Sequence, residues 1–147
     1  MCACGRLHWG LVGAAGLLLA RRDCAGRVTH VVLQRRARWS DQGGTWGIPG
    51  GAREPGESAV DAALREAGEE AGIAPTAVRV LGTSVLRHPD WSYTTVLADE
   101  RAPSEPRPTD AESTQVAWIE VERVADRPLL AAFADSWPTL LAQLTRT

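Results

Sequence analysis

The sequence has no lysine, and its charge is close to balanced. All sixteen cationic residues in this 147-residue chain are arginines. Any cationic site for a phosphate is therefore built from guanidinium groups, whose planar fork suits bidentate contacts. The formal net charge is −2. This value argues against binding to nucleic-acid polymers in general, because such binding needs a basic surface.

Cysteines are also few, and they are odd in number: Cys2, Cys4 and Cys24. Their spacing matches neither a zinc-ligand set nor a catalytic cysteine signature. We therefore expect free thiols in a reducing compartment, which predicts a cytoplasmic protein.

Long apolar runs are missing as well. The apolar stretch from Gly10 to Ala20 is too short to cross a bilayer, so no membrane association is expected. A secretory signal is the alternative interpretation. However, only Arg6 supplies positive charge before the stretch, and Leu18 stands where a cleavage site requires a small residue. A buried first strand from Leu11 to Ala20 fits the pattern better.

The length suits one domain spanning residues 1–147. A turn at Arg21 to Gly26 follows the first strand. Loops are predicted at Arg35 to Thr45 and Arg101 to Thr109. Strands mixed with two helices predict an α/β fold whose sheet is covered on both faces. The remaining predicted strands are Val28 to Gln34, Trp46 to Gly51 as a short strand entering a glycine turn, Val78 to Leu86, Ser92 to Ala98 and Gln115 to Val121. A helix from Ala131 to Leu144, interrupted near Trp137-Pro138, closes the chain.

The clearest helix runs from Ser58 to Ala71. Ser58 and Asp61 form a capping-box pattern at its start, and Gly72 is placed to end it. Apolar residues recur at helical spacing and form a narrow stripe of mostly small side chains. The stripe consists of Val60, Ala63, Leu64, Ala67 and Ala71.

Three glutamates of this helix, Glu66, Glu69 and Glu70, have the spacing i, i+3 and i+4. They lie within an arc of roughly 100° on one side of the helix. Carboxylates that converge beside a glycine turn make an oxygen-donor site suited to Mg²⁺ or Mn²⁺. Taken alone, the same glutamates would be an ordinary exposed acidic face, so their surroundings decide between the two interpretations.

The segment from Gly51 to Ile73, GAREPGESAVDAALREAGEEAGI, resembles the Nudix box. That motif is Gly-x5-Glu-x7-Arg-Glu-U-x-Glu-Glu-x-Gly-U, in which U is apolar. Ala67 and Ile73 take the two U positions. The Trp-Gly-Ile-Pro-Gly-Gly entry and the Trp118-Ile119 strand are also similar to the family. The seven specified positions are Gly51, Glu57, Arg65, Glu66, Glu69, Glu70 and Gly72.

The resemblance implies an α/β/α sandwich with a mixed sheet, and a hydrolase that cleaves a pyrophosphate bond in a small nucleotide-like substrate. It implies that Glu69 and Glu70 bind the metal, with Glu66 as a further ligand or general base. The carbonyl of Gly50 would be another ligand. Arg65 belongs to the catalytic set as the partner of Glu57, and the two would orient the site. Gly51 and Gly72 would be structural.

Several residues outside the box are candidates for the same site. Glu112, six residues before Trp118, is similar to an additional carboxylate ligand of MutT-like members. The general base therefore stays open between Glu66 and Glu112. An arginine group at the end of the second strand could bind phosphates, and a neighbouring tryptophan could stack on a base. These candidates are Arg35, Arg36, Arg38 and Trp39.

The substrate is open at this stage. Pro89, downstream of the box, favours an ADP-ribose or sugar-nucleotide type, whereas the small MutT-like layout favours an oxidised nucleoside triphosphate. A Nudix domain that binds a nucleotide without hydrolysing it is the alternative to an enzyme, but such proteins usually lack box glutamates. A homodimer is one assembly that the resemblance allows, because many members are dimers.

Overall fold

The computed structural model describes residues 13–39, 42–87, 89, 92–109 and 113–147. Within these ranges the chain forms seven strands and two α-helices, with short 3₁₀ helices at Pro75–Ala77 and Val121–Asp126. The strands are β1 (Ala14–Arg22), β2 (Val28–Arg36), β3 (Trp46–Gly47), β4 (Gly50–Ala52), β5 (Val78–Arg87), β6 (Ser92–Glu100) and β7 (Ser113–Glu120). The helices are α1 (Ala59–Ala71) and α2 (Ala131–Arg146).

The strands form one mixed sheet with β1 at its centre. β1 runs parallel to β6 over residues 14–20, and its pairings with β2 and β4 are antiparallel. The order across the sheet is β3-β2-β1-β6-β5, with β4 paired to β1 and β7 paired to β2. β4 lies beside the start of β1 and β2 beside its end, so both strands share one side of β1.

The two faces of the sheet carry separate apolar cores. Leu17 and Leu19 of β1 face α1, whereas Leu18 and Ala20 face α2. This alternation follows from the two-residue repeat of a strand that is covered on both sides. The predicted α/β/α sandwich with a mixed sheet is confirmed.

Helix α1 forms where the capping pattern predicted it. The Ser58 hydroxyl caps the helix by accepting a hydrogen bond of 3.0 Å from the backbone N–H of Asp61. Gly72 ends the helix with a left-handed φ of 68°, which glycine adopts without strain. The buried residues are all alanines, so the helix packs close to the sheet. These are Ala62, Ala63, Ala67 and Ala71.

Strands β1 and β6 extend beyond their predicted C-terminal ends, to Arg22 and Glu100, where charged residues of the two strands pair with one another. The predicted turn from Arg21 to Gly26 therefore begins two residues too early: Arg21 and Arg22 belong to β1, and the turn follows at residues 23–26. Arg21 donates two hydrogen bonds to Glu100, of 2.8 and 3.0 Å, and Arg22 donates one of 2.7 Å to Asp99. Parallel neighbours place these ends side by side, so an apolar-to-charged transition in the sequence does not mark the end of the strand. β2, β5 and β7 differ from prediction by one or two residues at their ends, whereas the single short strand predicted from Trp46 to Gly51 is two strands, β3 and β4.

Helix α2 is continuous, so its predicted interruption near Trp137-Pro138 was wrong. Proline removes one N–H that would bond to the carbonyl four residues earlier, on Ala134. Both Pro138 and Ala134 are exposed, so water can reach that carbonyl, and buried side chains anchor the helix on either side. Among the described residues, no helix has the length and apolar character needed to cross a membrane. The anchors are Phe133, Trp137, Leu140 and Leu144.

The pairing of β1 with β6 should make stability depend on pH. The Arg21 guanidinium, followed by the N–H of Ser104, lowers the pKa of Glu100. A lowered folded-state pKa stabilises the fold above the unfolded-state value, and this contribution is lost as the pH falls through the folded value. We expect Glu100→Gln to reduce the free energy of unfolding by about 1 kcal/mol at pH 7.

Urea denaturation of both proteins at pH 7 and pH 3 measures this effect. The difference in free energy of unfolding between the two proteins should shrink at pH 3, where Glu100 of the wild type is becoming protonated and its pairing with Arg21 weakens. A difference that grows as the pH falls would contradict the assignment.

Candidate active site

The glycine corner consists of residues 46–52, which comprise β3, β4 and the Ile48-Pro49 link. The backbone N–H of Leu17 donates a hydrogen bond of 2.9 Å to the Pro49 carbonyl. Gly50 and Gly51 then pair with Gly16 and Ala15 of β1. The corner is thereby attached to the start of the central strand, and α1 packs against both β1 and β4.

Gly51 gives the Glu66 carboxylate its space. A Cβ atom added to Gly51 would lie 2.8 Å from that carboxylate, which is closer than van der Waals contact allows. At Gly50, an added Cβ would lie 2.6 Å from the carbonyl oxygen of Ala15. Gly50 therefore has no room for a side chain beside the backbone of β1, and a side chain at Gly51 would require the Glu66 carboxylate to move.

Arg65 is the hub of the acidic cluster. Its Nε and Nη2 donate to the two carboxylate oxygens of Glu57, at 2.9 and 3.0 Å. Its Nη1 donates to Glu66 at 2.8 Å and to Glu69 at 3.3 Å, and Nη2 also reaches the Ala52 carbonyl at 3.0 Å. One guanidinium thus joins β4, Glu57 in the loop before α1 and two glutamates of α1.

These contacts change the acidity of Glu57. Hydrogen bonds from Arg65 and then from the backbone N–H of Glu54 lower the pKa of Glu57 from 4.5 to about 2. The same pairing with Glu57, followed by that with Glu66, raises the pKa of Arg65 above its ordinary value. Both partners remain ionised across the neutral range, as the predicted orienting pair requires.

Glu70 is held from the sheet by Gln34, a residue that the sequence analysis missed. Gln34 Nε2 donates a hydrogen bond of 2.7 Å to Glu70 Oε1, and Gln34 is only 8% exposed. The strand pattern in the sequence does mark Gln34 as unusual. Gln34 lies two residues after the buried Val32 on the same face of β2, where the strand repeat calls for an apolar residue.

Tyr93 on β6 is a second residue that the sequence analysis missed. A Cβ atom added to Gly50 would lie 2.7 Å from its hydroxyl, and one added to Gly16 would collide with it. Burial raises the pKa of Tyr93 above its usual value, and the negative charges of Glu70 and Glu66 raise it further. Its hydroxyl therefore stays neutral beneath the glycine corner. No pattern in the sequence singles out this residue.

The structure places the remaining predicted residues around the loop that precedes the corner, or leaves them outside the described ranges. Glu112 lies outside the described residues. Arg35 Nε donates a weak hydrogen bond of 3.4 Å to the Gly44 carbonyl. Arg36 ends β2, Arg38 is exposed, and Trp39 is 71% exposed. These four residues occupy one end of β2 and its loop.

The donor chemistry of α1 suits a hard divalent cation. The available groups are carboxylate and carbonyl oxygens, which Mg²⁺ and Mn²⁺ prefer. Within the described part of the chain, no three acidic, histidine or cysteine side chains are arranged closely enough to hold an ion. Arg65 Nη1 donates to both Glu66 and Glu69, so a cation would have to displace the guanidinium from these carboxylates. The residues fit a cation if those side chains rotate towards it.

A mixed sheet covered on both faces, with a glutamate-bearing helix beside a glycine corner, defines an α/β sandwich protein with a candidate divalent-cation site. The family model described as the NUDIX domain matches residues 11–141. The chain belongs to the Nudix family. The family prediction made from the box is therefore confirmed.

Two relatives and one solved structure are similar over nearly the whole chain. The Bifidobacterium longum nucleoside triphosphate pyrophosphatase/Nudix hydrolase fusion protein is 51% identical over 146 residues, which are 97% of this chain but 30% of that protein. A Mycobacterium tuberculosis protein provisionally named 8-oxo-dGTP diphosphatase 3 is 43% identical over 142 residues, 92% of this chain and 64% of its own length. The chain therefore spans less than two thirds of either relative.

The similar solved structure is the crystal structure of RenU, a Nudix hydrolase from M. smegmatis. It has a TM-score of 0.86 and 41% identity, and the match covers 97% of this chain and 91% of that one. The similarity extends through the sheet and both helices.

The Arg65 hub makes a direct prediction about Glu57. In Arg65→Met the pKa of Glu57 should rise from about 2 towards 4.5, since its strongest hydrogen-bond donor is lost. The Glu54 N–H remains and should keep part of the shift. Carboxyl ¹³C NMR titration measures the change. The pKa of Glu100, at the opposite end of the sheet, should be the same in both proteins. An unchanged pKa of Glu57 in Arg65→Met would show that Arg65 is not its main partner.

Proposed function

We propose that this chain is a divalent-metal-dependent hydrolase that cleaves a pyrophosphate bond in a nucleotide-like substrate. The observation that carries the proposal is the arrangement of three glutamates of α1 beside the glycine corner. Glu66 lies against Gly51, Glu69 is joined to Arg65, and Glu70 is held by Gln34. Membership of the Nudix family and the names of the relatives support the same chemistry.

The proposed reaction is the attack of water on a phosphorus atom of the diphosphate. The water oxygen forms a bond to phosphorus, the bridging P–O bond breaks, and the leaving phosphate departs with the bond electrons. Bound Mg²⁺ or Mn²⁺ would neutralise charge on the phosphate oxygens and make a neighbouring water more acidic. In this proposal Glu69, Glu70 and the Gly50 carbonyl hold the cation, and Glu66 is either a further ligand or the general base. Glu66 or Glu112 takes the proton.

Arg65 has a double role in the proposal. It holds Glu57, and so keeps the loop before α1 in place, through contacts that do not involve the cation. It also bonds to both Glu66 and Glu69 while no cation is present, and its positive charge reduces the repulsion between these carboxylates on one helix face. Cation binding would have to compete with the longer Arg65–Glu69 contact of 3.3 Å. Glu69 is 60% exposed and can rotate at small cost.

For the substrate we propose an oxidised purine nucleoside triphosphate. The M. tuberculosis relative is named for such a substrate, and the B. longum relative is named in part for nucleoside triphosphates. Trp39 and Arg38 are exposed in the loop that leads to the glycine corner. In the proposal Trp39 stacks on the base, and the arginines Arg35, Arg36 and Arg38 contact phosphates. The cytoplasmic location and a homodimeric assembly stay predictions.

Glu70→Gln tests the role of the helix. We expect Mg²⁺-dependent turnover to fall on the order of 100-fold or more, because the substitution removes charge but keeps shape. Glu122→Gln, an exposed carboxylate in the 3₁₀ turn after β7, is the matched control and should retain full activity. Circular dichroism should show both variants folded. A Glu70→Gln variant with wild-type turnover would remove α1 from the mechanism.

A substrate panel separates the remaining possibilities. With Mg²⁺, we expect 8-oxo-dGTP to be hydrolysed to the monophosphate and pyrophosphate with a higher kcat/KM than ADP-ribose, sugar nucleotides or dinucleoside polyphosphates. Chromatographic quantification of the nucleotide products measures turnover for every substrate of the panel, including ADP-ribose and sugar nucleotides, which release no pyrophosphate. A higher kcat/KM for ADP-ribose would overturn the substrate assignment. Binding by calorimetry without product release would instead identify a nucleotide sensor.

A further inference from the structure

Gln34 occupies an unusual position for an amide side chain. It lies in the interior of β2, where it pairs with Gly47 of β3 on one side and Val116 of β7 on the other. Val32, two residues earlier, belongs to the apolar core beneath α1. An apolar residue here would extend that core. The amide therefore stabilises the fold less than a buried aliphatic side chain would at this position.

The amide is only half satisfied. Nε2 donates to Glu70 Oε1 at 2.7 Å, while Oε1 of Gln34 is buried and has no hydrogen-bond partner among the residues the structure describes. Reversing the amide would place its oxygen against the carboxylate, which is repulsive, so Glu70 determines its orientation. A buried acceptor without a donor destabilises a fold. Features that oppose stability are expected at functional sites.

The bond also restricts Glu70. A glutamate on a helix surface has several rotamers, and holding one of them costs side-chain entropy. The bond from Gln34 on β2 to one carboxylate oxygen also fixes the direction in which the second oxygen of Glu70 points. The donor is neutral, so it orients the carboxylate without cancelling the negative charge. Arg65, in contrast, offsets part of the negative charge of the glutamates it contacts.

We infer that Gln34 is a positioning residue of the candidate metal site: it holds the Glu70 carboxylate in the rotamer that binds the divalent cation. The inference rests on the proposed function, in which Glu70 is a ligand. Gln34 itself contacts neither cation nor substrate. Gln34 orders the Glu70 side chain before the cation binds, so that less conformational entropy is lost on binding.

Gln34→Met tests the inference, because methionine has a similar volume and no amide. Mn²⁺ binding, measured by electron paramagnetic resonance on the protein without substrate, should weaken about 10–100-fold. Thermal stability should stay equal or rise, because the unpaired buried oxygen is removed. Activity should fall at limiting Mn²⁺ and recover in part at saturating Mn²⁺. A residue that only fills the core would show none of these metal effects.

Gln143→Met is the matched control. Gln143 of α2 donates its amide to the Thr83 carbonyl at 3.1 Å, far from α1 in the fold, so its loss should leave Mn²⁺ affinity unchanged. A double-mutant cycle with Glu70→Gln adds the decisive comparison. If Gln34 acts through Glu70, Gln34→Met should change Mn²⁺ affinity little in the Glu70→Gln background. Fully additive effects would overturn the inference.

The failure of the inference and that of the proposed function have different signatures. Wild-type protein that binds no Mn²⁺ would remove the proposed function and the inference with it. Wild-type protein that binds Mn²⁺, together with a Gln34→Met variant that binds it equally well, would overturn the role of Gln34 alone. If Gln34→Met does not fold, Gln34→Ala carries the same measurement, since it leaves room for water to hydrate Glu70.

Discussion

The contacts of Arg65 hold the candidate site together. A single guanidinium reaches a carboxylate in the loop before α1, a backbone carbonyl of β4 and two carboxylates on α1 itself. Only a planar fork with several N–H groups can make these contacts at once, and the ammonium group of lysine cannot. The absence of lysine from the chain therefore does not affect this site, whose contacts require an arginine. Without this hub, Glu66 and Glu69 would repel each other across a helix turn, and the loop would lose its attachment.

Close packing supplies the second support. The alanines on the inner face of α1 let the helix approach β1 and β4, and the glycines of the corner leave space for the Glu66 carboxylate. The site thus lies where two backbones come unusually near each other. From the sheet side, the buried Gln34 and the half-buried Tyr93 complete the surroundings with neutral groups. The single positive charge of Arg65, which also pairs with Glu57, offsets only part of the negative charge of the three glutamates, so the site retains a net attraction for cations.

The box residues could be identified from the sequence because their spacing lies within one continuous segment. Gly51, Glu57, Arg65 and the glutamates of α1 are neighbours along the chain, and the helical repeat brings them to one side. Gln34 and Tyr93 come from strands on either side of β1, so only sheet pairing brings them near the box. Arg21 was assigned to a turn for a similar reason, since its partner Glu100 is 79 residues away. The continuity of α2 through Pro138 likewise depends on packing contacts that local patterns do not encode.

The sequence by itself determined the family, the order of the elements and the identity of the acidic helix, because all three are carried by local spacing and by alternation of apolar residues. The tertiary structure decided which groups hold the glutamates, which glycine makes room for Glu66 and where the strands end. Those features depend on atoms brought within about 3 Å by pairing of distant segments, a distance at which hydrogen bonds and steric exclusion act. No pattern along the chain specifies such contacts until the sheet has formed.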